Sequence, residues 1–216
     1  IKLFELGCHL VILGCNTASA KALRSIQQCD LPQLDPTRRV LGVIRPTAEV
    51  IGGLTRSRHV GLLATEGTVK SQSYNLEIEK LHPDIKVTGV ACPLWVPIIE
   101  NNEADSPGAD YFVKKRIDHL MLLDPKIDTI ILGCTHYPIL MPKILKYIQP
   151  GVRIVPQSEY VADSLKDYLG RHPEMDAQCT KHGKSLYFTT ENPVKFKENA
   201  RIFLPSSIHV EHIDLE

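Results

Sequence analysis

Two cysteines occupy equivalent places in a short stretch that occurs twice in the sequence. Residues 9–17 read His-Leu-Val-Ile-Leu-Gly-Cys-Asn-Thr and residues 128–136 read Asp-Thr-Ile-Ile-Leu-Gly-Cys-Thr-His, so Cys15 and Cys134 each follow an aliphatic run and a glycine. A single cysteine in this setting is most often a buried structural thiol. Because packing does not require the same residue beside polar groups in two separate units, the repetition favours a functional pair.

A pair of thiols, one ionised and one protonated, can remove a proton from one face of a carbon atom and return a proton to the other. A free cysteine has a pKa of about 8.5, which can fall toward the neutral range where acid/base catalysis is most efficient. A carbanion formed beside a carboxylate needs hydrogen-bond donors to stabilise it. Asn16, Thr17, Thr135 and His136 follow the two thiols and could donate such bonds.

The elements around the thiols are predicted from the same two stretches. Uninterrupted aliphatic runs are typical of strands buried on both faces of a parallel sheet. Asn16, Thr17, Ser19 and Thr135 are good capping residues where the next helix should begin. Each thiol should therefore lie between the carboxyl end of a strand and a helix amino terminus, a place where α/β sheets bind ligands and where thiolates are favoured.

The whole chain alternates strand-like and helix-like segments. The strands are predicted at residues 9–14, 40–44, 60–64, 87–91, the run before Cys134, 152–155, 186–189 and 208–213. Alternation with helices predicts βαβ units and mostly parallel sheets. We expect a discontinuous domain over residues 1–40 and 150–216 that carries Cys15, and a domain over residues 41–149 that carries Cys134. Three proline-containing or polar segments are expected to lack regular structure: residues 30–38, 92–97 and 171–184.

The composition is that of an ordinary globular protein. Of its 216 residues, 43% are hydrophobic, and 25 basic residues balance 25 acidic ones without a basic run, which argues against nucleic acid as a partner. No signal sequence and no apolar run of about 18 residues is present, so no membrane association is expected. The six cysteines are irregularly spaced, which favours reduced thiols in the cytoplasm.

Four motifs in order make the chain resemble cofactor-independent glutamate racemases of the aspartate/glutamate racemase superfamily. They are Gly-Cys-Asn-Thr-Ala-Ser-Ala, Ala-Thr-Glu-Gly-Thr, Ala-Cys-Pro-Leu-Trp-Val-Pro and Gly-Cys-Thr-His-Tyr-Pro, followed near the end by Tyr-Phe-Thr-Thr-Glu-Asn-Pro. The resemblance implies two pseudo-symmetric, mostly parallel-sheet α/β domains with the active site in the cleft between them. It also implies interconversion of L- and D-glutamate, supplying D-glutamate for bacterial peptidoglycan.

The same resemblance assigns roles by motif. Cys15 and Cys134 would be the proton donor and acceptor, with Cys15 acting on the D form and Cys134 on the L form. Glu100 and His136 match positions that assist proton transfer. The residues implied in substrate binding are Asn16, Thr17, Thr65, Thr68, Thr135 and His136.

The resemblance is incomplete before Cys15. The family opens with a strand ending in Asp-Ser-Gly, whose Asp assists the first thiol, and continues to a substrate-binding Pro-Tyr-Gly loop, and neither motif precedes Cys15 here. Ile1 opens on what reads as a helix end, so the natural amino terminus is expected upstream. A polypeptide that truly begins at Ile1 should have negligible racemase activity. Arg45 and Trp95 replace the commoner Glu and Phe, to which we attach little weight.

Several alternatives stay open. The fold would also suit an aspartate or hydantoin racemase, or a non-catalytic glutamate-binding chain, whereas a thiol-redox enzyme is disfavoured because no Cys-x-x-Cys is present. Cys134 and His136 alone do not supply the three or four ligands of a zinc site, so neither metal nor cofactor is expected. The expected partner is a small-molecule substrate, and a homodimer is considered. The cysteines outside the repeat are taken as structural: Cys8, Cys29, Cys92 and Cys179.

Overall fold

The computed structural model describes residues 1–204 and 208–215. Strands and helices alternate along most of this part of the chain. The strands are β1 (Leu10–Leu13), β2 (Arg39–Gly42), β3 (His59–Ala64), β4 (Lys86–Ala91), β5 (Thr129–Gly133), β6 (Arg153–Val155), β7 (Tyr187–Thr189) and β8 (Val210–His212). The helices are α1 (Lys2–Glu5), α2 (Asn16–Ser25), α3 (Leu31–Leu34), α4 (Ile44–Leu54), α5 (Glu66–Ser71), α6 (Ser73–Leu81), α7 (Trp95–Glu100), α8 (Pro107–Leu123), α9 (Met141–Tyr147), α10 (Ser158–Arg171), α11 (Pro173–Gln178) and α12 (Pro193–Ala200), with a π-helical turn at Ile26–Asp30 and a 3-10 turn at Tyr137–Leu140.

A four-stranded parallel sheet with the order β4-β3-β5-β6 forms the best-packed part of the molecule. Every residue of β5 is buried, as the uninterrupted aliphatic run predicted. Side chains of a strand alternate between the two faces of its sheet, so Ile130 and Leu132 join one apolar cluster while Ile131 joins the other. Helices α7, α8 and α9 contribute to the first cluster, and α4 and α6 to the second. The predicted mixed α/β fold with parallel sheets is confirmed.

The part of the chain that carries Cys15 has a smaller core. Strands β1 and β2 form one parallel pair, and β7 and β8 form another, so the described residues give two separate two-stranded sheets where a single sheet was expected. The long helix α10 has no buried residue. The apolar interior therefore lies mainly around the sheet of Cys134.

The strand pairing differs from the expected boundaries between the half of the chain that carries Cys15 and the half that carries Cys134. Strand β2 pairs with β1, and β6 pairs with β5. The expected boundary at residue 40 thus falls inside β2, and the boundary at 150 falls before a strand of the Cys134 sheet. The pairing is compatible with crossings after Gly42 and after Val155, but both the crossings and the division into two domains remain predictions.

Three segments expected to be irregular contain short helices, and proline explains each difference. Pro32, Pro97 and Pro173 lie in the first turns of α3, α7 and α11. The first amides of a helix have no partner within it, so a proline there removes no hydrogen bond. The prolines that seemed to forbid regular structure therefore mark helix starts. Within residues 1–204 and 208–215, every helix is too short or too polar to span a membrane.

Candidate active site

Cys15 lies between the end of β1 and the start of α2. Its backbone is extended, and its carbonyl oxygen accepts a hydrogen bond of 2.9 Å from the amide of Ser19, so Cys15 is itself the residue that precedes the first helical turn. Asn16 and Thr17 are inside that turn, which corrects their predicted role as caps. The Cys15 side chain is exposed and lies next to the first amides of the helix, which have no partners within it.

Cys134 follows β5 in a different local setting. It is only 8% exposed. The 3-10 turn begins at Tyr137 with His136 before it, so Thr135, which is exposed, does not cap a helix as predicted. Burial raises the pKa of Cys134, and the backbone amides of His136 and Tyr137 offset this only in part. The expected lowering of the thiol pKa is thus wrong for Cys134, which is protonated at neutral pH.

Two contacts bring the segments of the two thiols together. Thr17, two residues after Cys15, is hydrogen-bonded to Thr65 at 2.8 Å, and Ala64, just before Thr65, pairs with Gly133, just before Cys134. The charges of Cys15 and of Glu100 both contribute to raising the pKa of Cys134. Such an interaction requires proximity, because the energy between two charges falls with their separation. The structure therefore brings together two cysteines that are 119 positions apart in the repeat.

The glycines before the two thiols are not equivalent. A Cβ atom on Gly133 would lie 2.8 Å from Leu62 Cδ1 and 3.0 Å from Ala64 Cβ, which is closer than packed carbon atoms approach. A Cβ atom on Gly14 would meet nothing within 4 Å. The repeated Leu-Gly-Cys thus needs its glycine for packing in the second copy only.

A histidine and a carboxylate extend from Cys134. The Nδ1 atom of His136 lies 4.0 Å from Cys134 Sγ, and its Nε2 atom lies 3.1 Å from Glu100 Oε1. Glu100 is the last residue of α7, the short helix whose formation the prolines had obscured. The ring of Phe203 packs edge-on against His136 with 5.2 Å between ring centres. Glu100, His136 and Cys134 therefore form a chain of neighbouring side chains, while their role in proton transfer remains a prediction.

Three threonine hydroxyls meet where α2 approaches α5. Thr17 is hydrogen-bonded to Thr65 at 2.8 Å and to Thr68 at 3.2 Å, and Thr65 to Thr68 at 3.0 Å. Thr65 also caps α5 by accepting the Thr68 amide at 3.3 Å. Gly67 allows this approach, since a Cβ atom there would lie 3.0 Å from the Thr17 methyl group. The Ala-Thr-Glu-Gly-Thr motif therefore connects α2, the helix that begins directly after Cys15, to the half of the chain that carries Cys134.

Asn16 is held by two residues that the sequence analysis did not assign to the site. Its Nδ2 donates to Gln157 Oε1 at 2.6 Å, and its Oδ1 accepts from the Tyr74 hydroxyl at 2.7 Å. Tyr74 is completely buried on α6, and nothing in the sequence around it indicates a polar role. Gln157 carried no local signal, because its partner is 141 residues away in the sequence.

The other predicted features fall outside this cluster. All six cysteines have free thiols, and Cys92 is a buried one whose pKa is raised by burial. In the described part of the chain, no three His, Cys, Asp or Glu side chains are grouped as metal ligands would be. A cavity of about 620 Å³ is lined among others by Leu23, Ile44 and Leu165, and neither Cys15 nor Cys134 is among its lining residues.

Comparison with known proteins gives consistent matches over nearly the whole chain. The Asp/Glu/hydantoin racemase family model matches residues 2–162. A glutamate racemase from Streptococcus pyogenes serotype M49 is 38% identical over 210 residues, which cover 95% of this chain and 75% of that protein. A crystal structure of a glutamate racemase isoform from Bacillus anthracis superposes with a TM-score of 0.86 at 32% identity, covering 99% of this chain and 77% of the other. The glutamate racemase of Francisella tularensis in complex with D-glutamate gives a TM-score of 0.83 at 27% identity, with coverages of 99% and 76%.

Proposed function

The chain belongs to the Asp/Glu/hydantoin racemase family, and from that premise we propose that it interconverts L- and D-glutamate through Cys15 and Cys134. The observation that carries the proposal is geometric: Thr17, two residues after Cys15, is hydrogen-bonded to Thr65, and Ala64 pairs with Gly133, the residue before Cys134, so thiols that follow strands of different sheets face a common region. One thiol on each side of the substrate α-carbon supplies a base for one face and an acid for the other. No cofactor enters this chemistry.

The Cys134 side has a means of deprotonating a thiol whose pKa is raised. The Glu100 carboxylate accepts the Nε2 proton of His136, which leaves the Nδ1 lone pair directed at Cys134 Sγ. His136 can then take the thiol proton when Cys134 acts as the base, and return it when Cys134 acts as the acid. Glu100 fixes the tautomer and the orientation of the ring, as the third group of a nucleophile–base arrangement does.

The Cys15 side supplies donors for the substrate carboxylates. The first amides of α2 are next to the thiol and favour negative charge. The hydroxyls of Thr17, Thr65 and Thr68, together with the exposed Thr135, are the further candidates for binding. We propose that Cys15 acts on D-glutamate and Cys134 on L-glutamate.

The proposed setting is the cytoplasm, where the D-glutamate product would enter peptidoglycan synthesis. Six free thiols support a reducing compartment. We also propose that two domains, with crossings near residues 42 and 156, form the two sides of the substrate cleft. A homodimer stays a prediction.

The two-cysteine mechanism is tested by racemisation in deuterium oxide. Starting from either enantiomer, the product should carry deuterium at the α-carbon while the remaining substrate does not, because two different thiols handle the two protons. Single Cys15→Ser and Cys134→Ser variants should lose racemisation by circular dichroism. The matched control is Cys29→Ser, an exposed cysteine outside the site, which should keep full activity. Early deuterium in the substrate pool would refute the two-base scheme.

A non-catalytic glutamate-binding chain is the second candidate, favoured by the divided sheets of the Cys15 half. Binding of glutamate by calorimetry without any turnover would select it over the racemase. Faster turnover of aspartate than of glutamate would instead select an aspartate racemase on the same scaffold.

A further inference from the structure

Three buried polar side chains meet at the residue that follows Cys15. Asn16 is the first residue of α2, Tyr74 is on α6, and Gln157 lies just after β6, where the chain returns from one half to the other. Their exposed fractions are 2% for Asn16, 0% for Tyr74 and 8% for Gln157. The group therefore connects the start of the thiol-bearing helix to two elements of the other half.

The donor and the acceptor of each hydrogen bond to Asn16 can be assigned. The Nε2 atom of Gln157 lies 3.1 Å from the carbonyl oxygen of Val43, which can only accept, and 3.0 Å from Thr47 Oγ1. The Gln157 amide must therefore point its nitrogen this way and its oxygen at Asn16 Nδ2. The Asn16 oxygen then faces Tyr74, whose hydroxyl has to donate.

Tyr74 is suited to that task. Burial raises the pKa of its hydroxyl far above the ordinary value, so the group stays protonated and keeps its donor. The same hydroxyl accepts a close contact from Gln157 Nε2. A buried polar network in which every group has a partner specifies one geometry, whereas apolar packing is not directional.

The bonding of Asn16 fixes its amide group in one orientation. Both heavy atoms of its amide group are engaged, and the side chain is nearly inaccessible. Resting on the function proposed above, we propose that Tyr74 and Gln157 are positioning residues that act through Asn16 to fix the start of α2, and hence Cys15, against the Cys134 half. Asn16 then transmits the position of Tyr74 and Gln157 to the residue beside it, Cys15.

The test uses Tyr74→Phe, which removes one hydroxyl and keeps the ring in its buried place. We expect the turnover number to fall about tenfold, since small misplacements of reacting groups are costly, while KM changes less than about threefold because the threonine hydroxyls are untouched. The primary isotope effect should rise for only one of the two α-deuterated enantiomers, the one whose proton Cys15 removes. A loss of folded protein would lower turnover and leave both isotope effects unchanged.

A control and a second variant keep the test decisive. Tyr147→Phe also removes a tyrosine hydroxyl that is hydrogen-bonded, to Asp110 at 2.6 Å, and should leave both isotope effects as they are. Gln157→Met removes the other hydrogen-bond partner of Asn16, and it replaces Tyr74→Phe in the test if that variant does not fold. The double variant should lose no more turnover than the worse single variant, because both act through Asn16.

One readout does not depend on racemase activity. Alkylation of Cys15 by iodoacetamide, measured by peptide mass spectrometry relative to the exposed Cys29 in the same molecules, should change at least about threefold in Tyr74→Phe. This readout needs no turnover, so the positioning role is tested separately from the proposed function, which is judged by racemisation alone. An unchanged alkylation ratio together with unchanged isotope effects, in folded variants, would overturn the positioning role.

Discussion

The two copies of Leu-Gly-Cys offer an internal comparison that tests the packing around Cys134. We predict that Gly133→Ala destabilises the protein and that Gly14→Ala does not. The added methyl at Gly133 would lie 2.8 Å from Leu62 Cδ1 and 3.0 Å from Ala64 Cβ, and the second of these atoms is fixed to the backbone of β3. The methyl at Gly14 enters open space, and neither glycine has a positive φ that would strain alanine.

The expected magnitude follows from these distances. Overpacking of a well-packed core by one methyl costs about 1 to 3 kcal/mol. Replacing glycine by alanine also stiffens the unfolded chain, which stabilises by roughly 0.4 to 1 kcal/mol, but this contribution is common to both variants and cancels in their difference. For a chain of this length each kcal/mol shifts the melting temperature by about 2 to 4 °C, so the two variants should differ by roughly 2 to 12 °C.

The assay is thermal and urea unfolding of the two variants beside the wild type, followed by racemisation per folded molecule. Gly133→Ala should also reduce activity, because relief of the clash displaces the chain next to Cys134. Equal stability of the two alanine variants would refute the packing argument, and so would a Gly14→Ala variant that is the less stable of the two.

Two further predictions concern ionisable groups. Burial by itself raises the pKa of Asp128, but hydrogen bonds from Thr55 and from the Ser57 amide outweigh burial and hold this pKa well below its usual range. The Asp128 carboxylate therefore stabilises the fold fully above about pH 4. This stabilisation is lost as the pH falls through the lowered pKa. Asp128→Asn should accordingly be less stable than the wild type at pH 7 in urea titrations, with the gap narrowing toward pH 3, and a gap that stays constant with pH would contradict this. Iodoacetamide near pH 7.5 should modify Cys15 roughly tenfold faster than Cys134. The reason is that Cys134 is only 8% exposed and that its raised pKa leaves little thiolate. Equal modification rates of the two cysteines, measured by peptide mass spectrometry, would show that the environment assigned to Cys134 is wrong.

Local sequence patterns were sufficient for the strands and for the fold class. All eight predicted strands are present with bounds within a few residues, because a run of aliphatic residues, or an alternation of apolar and polar ones, is a local signal in the sequence itself. Patterns were weaker at prolines. The helix that ends at Glu100 was not predicted, since Pro97 reads as a helix breaker unless its place in the first turn is known.

The candidate site shows the same contrast between local sequence signals and tertiary structure. The sequence by itself singled out the two candidate cysteines, because a repeated motif places Cys15 and Cys134 after strands whatever the later packing. Only the tertiary structure decided how those residues behave. Burial, a property of the whole fold, raises the pKa of Cys134 against the expectation from its local motif. The hydrogen bonds of Tyr74 and Gln157 to Asn16 join segments 58 and 141 residues apart, and such contacts leave no periodic trace in a single sequence. Hydrogen bonding and desolvation depend on which atoms meet in space, and that is settled when the two halves of the chain pack together.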